Sequence, residues 1–223
     1  MKILALICAR GKSKGIKNKN LLKFKKTTLL GNAIRQARNS KYISKVIVST
    51  DSFRIAKEAK KNGAQVPFMR PSKLSTDRSA EIETWRHLIK KLKIYNTFDY
   101  IVSVPTTAPL RRTSDIDKCI RKAIKKQLDF VFSVTKSSKN PYFNMLKLKN
   151  NKLSLFFNKK IYGRRQDAPI SYDLTTICYV FKPAYIFKTK DLFVGKTGFI
   201  NFPKERAFDI DDRIDYEIAK FLS

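Results

Sequence analysis

Directly after the apolar run Ile3 to Ala9, the segment Arg10-Gly11-Lys12-Ser13-Lys14-Gly15-Ile16-Lys17-Asn18-Lys19-Asn20 gathers five cationic side chains, two glycines and a hydroxyl. Glycines let backbone N–H groups approach phosphate oxygens, and Arg and Lys add charge-assisted bonds. This composition suits a polyphosphate cradle. Its spacing is neither G-x-x-x-x-G-K-[ST] nor G-x-G-x-x-G. An ordinary basic turn is the competing reading, and the position after a buried strand speaks against it. Near the far end, Asp209 and Asp211 stand two apart. In an extended segment their side chains share a face, where two carboxylates can hold one or two hard cations. With Asp212 and Asp215 beside them, the same acids also read as the cap and first-turn charges of a last helix. Spacing alone leaves both open. Asp51 has two readings as well, a metal or hydroxyl ligand, or the cap of a helix beginning at Phe53. His87, the sole histidine, reads as a packing residue, and Arg111 and Arg112 as structural contacts ahead of a helix.

These groups need a frame. The run Ile3 to Ala9 has the length and continuity of a strand buried on both faces, which belongs in a parallel sheet. A helix is predicted from Leu29 to Asn39, a strand over Lys45 to Thr50, a helix Phe53 to Asn62 closed by Gly63, and a short strand near Val66 to Met69. The alternation continues with a helix Ala80 to Lys93, a strand Tyr100 to Val104, a helix Ser114 to Lys126 and a strand Asp129 to Thr135. Such alternation is the mark of βαβ units, and their ligands bind at the carboxyl ends of the strands. From Lys136 to Tyr172 the pattern changes to short strands with turns at Asn140-Pro141, Asn150-Asn151 and Tyr162-Gly163. The aromatic residues there (Tyr142, Phe143, Phe156, Phe157, Tyr162) exceed what a solvated loop needs, so this insertion covers the domain or meets a second subunit. The pattern resumes over Thr175 to Phe181 and ends with a strand near Phe199 to Phe202 and a helix Asp212 to Leu222.

The chain of 223 residues fits one α/β domain spanning 1–223. Its net charge of +30, from 48 Lys and Arg against 18 Asp and Glu, brings nucleic acid into consideration. The basic residues are instead dispersed over the predicted helices, as at Lys57, Lys60, Lys61, Lys118, Arg121, Lys122, Lys125 and Lys126, which favours solvated faces and no specific nucleic acid. Cys8, Cys119 and Cys178 sit singly among apolar neighbours and read as buried thiols of a reducing compartment. The first apolar run is too short for a signal-peptide core or a membrane span, so a cytoplasmic protein without membrane attachment is expected.

The loop Ala9 to Asn20 resembles the A-R-x-x-S-K-G-x-x-x-K-N signature of the CMP-sugar-acid synthetases, the cytidylyltransferases of sialic, legionaminic and related nonulosonic acids. Other segments fall in that family's order. Ser49-Thr50-Asp51 is similar to its second strand ending, Arg70-Pro71-Ser72-Lys73-Leu74-Ser75-Thr76-Asp77 to R-P-x-x-L-x-x-D, and Pro105-Thr106-Thr107-Ala108-Pro109-Leu110-Arg111 to P-T-S-P-L-R. Arg164-Arg165-Gln166-Asp167-Ala168-Pro169 resembles R-R-Q-x-x-P, and Asp209-Ile210-Asp211 resembles D-I-D. The resemblance implies a Rossmann-like nucleotidyltransferase fold, a mostly parallel sheet flanked by helices with a small β-rich dimerisation insertion at about 136–172. It implies an enzyme that couples CTP to the anomeric hydroxyl of an acidic sugar and releases pyrophosphate. Arg10, Ser13, Lys14 and Lys19 would hold the triphosphate, Asn20 would support the loop, and Arg70 and Thr76 would face the cytidine. Arg10, Lys19 and Asp211 would be catalytic, Asp209 and Asp211 would bind Mg²⁺ or another divalent cation, and Arg165 and Thr106 would meet the sugar. A homodimer is implied, with Lys139 and Arg165 acting across it.

The sequence departs from the sialic acid pattern on the sugar side. Val104 stands where a Gln is usual and P-T-T-A-P-L-R carries an additional residue. The strand after R-R-Q reads Thr175-Thr176-Ile177-Cys178-Tyr179, and Asp173 stands where a basic residue is often found. These variants are closest to the subgroup acting on legionaminic-type or other bacterial nonulosonates. The alternatives are a Kdo-type cytidylyltransferase, a basic nucleic-acid-binding protein and an inactive member that binds nucleotide without turnover.

Overall fold

A computed structural model describes every residue except 77, 78, 158, 159 and 161. The strand β1 (Ile3–Cys8) leads through the loop 9–22 to a small hairpin of β2 (Lys23–Phe24) and β3 (Thr27–Thr28), then to α1 (Leu29–Arg38), β4 (Lys45–Ser49) and α2 (Phe53–Lys61). Next come α3 (Glu81–Leu92), β5 (Tyr100–Ser103), α4 (Thr113–Lys126) and β6 (Phe130–Lys136). A hairpin of β7 (Leu146–Lys149) and β8 (Lys152–Leu155) precedes β9 (Tyr172–Phe181), α5 (Pro183–Lys188), β10 (Thr197–Asn201) and α6 (Arg213–Phe221).

Six strands form one sheet in the order β10-β6-β9-β5-β1-β4. All run parallel except β9, which pairs antiparallel with β5 and β6. Strand β1 is buried on both faces because each face has its own helical layer. Ile3, Ala5 and Ile7 pack with α1, α2 and α4, whereas Leu4 and Leu6 pack with Trp85, Leu88 and Ile89 of α3 and Ile186 of α5. A third, smaller core joins Ile16 of the basic loop to Phe24, Leu29, Ile210, Tyr216 and Ala219. Burial of apolar side chains such as Ile16 and Ile210 stabilises by about 2 kcal/mol each. That contact fastens the loop after β1 to the segment before α6.

The expected strand near Val66 to Met69 does not form. Pro67 lacks an N–H for a ladder, and only Gln65 bridges to Ile47. The six-residue α5 and the two-residue strands β2 and β3 lie below the length at which periodicity is readable. The insertion is the β7–β8 hairpin, turned by Asn150 and Asn151 with φ of 50° and 58°, values that suit a type I′ turn. Cys119 and Cys178 are buried thiols; Cys8 differs from the sequence expectation by being half-buried. Among the described residues no helix is long and apolar enough to cross a membrane.

Candidate active site

Strand β1 ends against a hollow of about 440 Å³ lined by Cys8, Arg10, Ser13, Lys14, Gly15, Lys19, Asn20, Thr106, Thr107 and Asp211. Three stretches far apart in sequence therefore meet at the carboxyl end of the sheet. Asn20 is buried and links two of them: its Nδ2 donates to the Arg10 carbonyl at 2.9 Å, and its Oδ1 accepts from Thr106 Oγ1 at 2.6 Å. Lys19 links the third. Its Nζ donates to the Ile210 carbonyl at 2.6 Å and stands 3.5 Å from Asp211 Oδ1. Gly15 lies so close that a Cβ there would fall 1.9 Å from the Asp211 carbonyl oxygen.

The Asp211 side chain is 80% exposed, open to a ligand. Asp209 sits one step back: Thr107 Oγ1 donates to Thr176 Oγ1 at 3.3 Å, and Thr176 Oγ1 donates to Asp209 Oδ1 at 2.8 Å. Among the described residues no three metal-ligating side chains gather. Two carboxylates are nevertheless the donor set Mg²⁺ takes when phosphate oxygens and waters complete its octahedron. Asp212 and Asp215 have a different task. Asp212 Oδ1 accepts from Asp215 N, and Asp215 Oδ2 accepts from Asp211 N and Asp212 N, a capping box that starts α6.

Asp51 is not the cap of α2 that the sequence also allowed. Ser52 caps α2, and Asp51 Oδ1 instead accepts from Gly11 N at 2.8 Å and faces Arg70 at 3.9 Å. Arg70 is buried, with its Nε donating to Ser75 Oγ at 2.9 Å. Thr76 is exposed and shares a hydrogen bond with Ser79, while Asp77 of the same motif lies outside the described residues. Arg111 is structural, as its sequence position suggested. It donates to Gln36 Oε1 and the carbonyls of Thr176 and Ile177, and burial lowers its pKa to about 10. Asp115 is buried and accepts from Arg206 Nη1 at 2.7 Å and from the N–H of Arg112. His87 packs edge-on against Phe68; burial, then Lys91, Arg70 and Lys73, depress its pKa.

Arg165 is not among the residues lining this hollow. Its side chain is exposed, its Nη2 donates to the Ser137 carbonyl at 2.8 Å, and it lines a separate hollow with Asn140, Gln166 and Pro169. Sequence reasoning passed over Thr107, Thr176 and Gly15's fit against Asp211, because each acts through a contact with a distant segment.

A mostly parallel sheet whose first loop bears cations, backed by carboxylates from the segment before α6, is a nucleotidyltransferase class of site. Residues 4–222 match the family model described as cytidylyltransferase, and the chain belongs to that family. It is 36% identical over 222 residues to CMP-N,N'-diacetyllegionaminic acid synthase of Campylobacter jejuni, covering 99% of this chain and 94% of that protein. It is 34% identical over 222 residues, with the same coverages, to post-translational flagellin modification protein B of Campylobacter coli. In fold it is similar to CMP-2-keto-3-deoxy-manno-octonic acid synthetase solved with CTP, with a TM-score of 0.73 at 14% identity, covering 100% of this chain and 98% of that one.

Proposed function

We propose that this cytidylyltransferase transfers CMP from CTP to the anomeric hydroxyl of a legionaminic-type nonulosonic acid. The observation that carries the reading is Lys19, which binds the Ile210 carbonyl and neighbours Asp211. The cationic loop and the acidic segment are thereby held as one unit. The acceptor is read from the relatives' own activity together with the departures of Val104 and Asp173 from the sialic acid pattern.

In this reading the triphosphate lies along Arg10, Ser13, Lys14 and Lys19. The anomeric oxygen forms its bond to the α-phosphorus in line as the bond to pyrophosphate breaks, and the hydroxyl proton leaves to solvent or a nearby base. Most of the catalysis is positioning and charge neutralisation. Asp209 and Asp211 would hold Mg²⁺, which when bound supplies Lewis-acid stabilisation of phosphate charge. Lys19 neutralises charge that develops on the leaving pyrophosphate, and Asn20 keeps the Arg10 carbonyl turned away from it.

The chain also works as a dimer in this proposal. Leu146 pairs with Leu155 and Leu148 with Leu153, so the β7–β8 hairpin presents one leucine face, with Leu146, Leu148 and Leu153 at 54%, 68% and 66% exposure. A two-stranded hairpin needs such a face covered. A second copy would cover it, and Lys139 and Arg165 of each chain would reach the partner's cleft, where Arg165 can meet the sugar carboxylate with a bidentate bond.

The test is pyrophosphate release from CTP with Mg²⁺ and a panel of legionaminic, pseudaminic, N-acetylneuraminic and Kdo acids. Release with one nonulosonic acid is expected, falling by about 100-fold or more in Asp211→Asn and in Lys19→Ala, the loss typical of a removed charge-stabilising group. Release only with Kdo would replace the acceptor. CTP-independent binding to duplex DNA, indifferent to Asp211→Asn, would return the +30 charge to the centre of the question.

A further inference from the structure

Strand β9 breaks its ladder where it passes the carboxyl end of β5. Tyr179 pairs with Ser103 of β5 and with Phe132 of β6, yet the next residue of β6, Ser133, pairs with Thr175. Thr176, Ile177 and Cys178 therefore bulge out with no ladder partner on β6. Buried carbonyls without partners are costly, and here each one finds a side chain. The buried Arg111 donates from Nη1 to the Thr176 carbonyl at 3.3 Å and to the Ile177 carbonyl at 2.9 Å. Ser133 Oγ, also buried, donates toward the carbonyls of Thr175 and Cys178 at 3.1 and 3.2 Å and accepts from Cys178 N at 3.3 Å. A bulge next to a site re-aims a side chain, and this one is held from both sides.

The side chain it aims is Thr176. Its hydroxyl stands between Thr107 Oγ1 at 3.3 Å and Asp209 Oδ1 at 2.8 Å. An ionised carboxylate only accepts, so the Thr176 hydrogen goes to Asp209 and its oxygen receives the hydrogen of Thr107. The Thr107 carbonyl in turn accepts from Ile210 N at 2.9 Å, which grips the residue next to Asp209. Side chain and backbone of the acidic segment are thus tied to one pair of threonines. The two carboxylates differ accordingly: Asp211 is exposed beside Lys19, whereas Asp209 is half-buried and already oriented.

We propose that Thr176 is a positioning residue for cation binding: the β9 bulge sets its hydroxyl on Asp209 and fixes that carboxylate before a divalent cation arrives. The inference rests on the reading of Asp209 and Asp211 as cation ligands and adds to it the residues that orient one of them. A ligand ordered beforehand spares the cation the cost of ordering it, and hydrogen-bonded partners of ligating carboxylates typically carry about 10- to 100-fold in metal affinity. Arg111, which takes no part in the chemistry, then serves the site by satisfying the bulge that presents Thr176.

The experiment measures Mn²⁺ binding to the full chain by electron paramagnetic resonance, without nucleotide and with CTP in the absence of acceptor. Thr176→Val keeps the shape and removes the hydroxyl, and is expected to weaken Mn²⁺ by about 10- to 100-fold. Thr176→Ser restores the hydroxyl and is expected to bind as the unsubstituted chain does. In an Asp209→Ala background the Thr176→Val loss is expected to vanish, because the two changes remove the same interaction. Thr107→Val, which takes away only the brace on Thr176, is expected to show a smaller loss in the same direction. Unaltered Mn²⁺ affinity in Thr176→Val overturns the proposal whatever its thermal midpoint, as does a loss that Ser does not rescue or that persists without Asp209. Should Thr176→Val not fold, unaltered affinity in Thr107→Val overturns it instead. An unsubstituted chain that takes up no Mn²⁺ with or without CTP would overturn the cation reading itself, an outcome distinct from Mn²⁺ binding that is indifferent to Thr176.

Discussion

At Gly11 the basic loop gives its N–H to Asp51, and that carboxylate also faces the buried Arg70. One side chain at the end of β4 thus fixes the start of the loop and neutralises a cation beside it. A hydrogen bond to a charged acceptor contributes about 1.5–3 kcal/mol. Asp51→Ala is therefore expected to lower kcat/KM for CTP by roughly 10- to 100-fold, mainly through KM, because the loop would be less ordered before the nucleotide arrives. Steady-state kinetics at saturating acceptor check this, and an unaltered KM for CTP would show the brace to be dispensable. The sequence could not foretell this role for Asp51. A lone acid after a strand matches a ligand or a helix cap equally well; Ser52 takes the cap, and the N–H that Asp51 receives comes from Gly11, forty residues away. Lys19 was legible as a candidate for binding phosphate from its company of glycines and cations. Its bond to the Ile210 carbonyl was not, since no local pattern encodes a contact across 191 residues.

Between elements, the decisive contact is the loop after β1 against the segment before α6. Ile16 and Ile210 share an apolar cluster, and Gly15 lies against the Asp211 backbone. A methyl at position 15 would come within 1.9 Å of a carbonyl oxygen, and a backbone atom cannot yield as a side-chain tip does. Gly15→Ala is expected to force the phosphate loop and the carboxylates apart. Turnover should fall by about 100-fold or more, the scale of a displaced catalytic group, while overpacking costs about 1–3 kcal/mol of stability. Parallel measurements of kcat/KM and of the thermal midpoint decide it. Activity near that of the unsubstituted chain would mean that the two segments separate freely. The βαβ alternation was readable because strands such as β1 and β5 are unbroken apolar runs and helices such as α4 keep a regular apolar stripe. The strand expected over Val66 to Met69 is absent because Pro67 has no N–H for a ladder, and pairing stops at the Gln65 bridge to Ile47. The antiparallel course of β9 follows from a long insertion, which strand patterns do not reveal.

Over the whole molecule the +30 charge is carried on outward faces: Lys57, Lys60 and Lys61 of α2 and Lys118, Arg121, Lys125 and Lys126 of α4 are exposed. Exposed apolar side chains include a cluster on the insertion, where leucines of the paired strands β7 and β8 share one face. Leu148→Lys together with Leu153→Lys puts two like charges directly opposite each other on that face and is expected to convert the proposed dimer to monomers, read by sedimentation equilibrium. Whether the proposed dimer also completes the site is settled by mixing two inactive variants. In a mixed dimer of Lys19→Ala and Arg165→Ala chains, an Arg165 that reaches across leaves one cleft of the two with both residues. Random pairing then restores roughly a quarter of full activity, since half the dimers are mixed and each has one intact site. An Arg165 acting within its own chain leaves every cleft lacking one of the two, and the mixture stays inactive. Restoration is the expected outcome, because Arg165 lies outside its own chain's cleft and is tied to the Ser137 carbonyl at the root of the insertion.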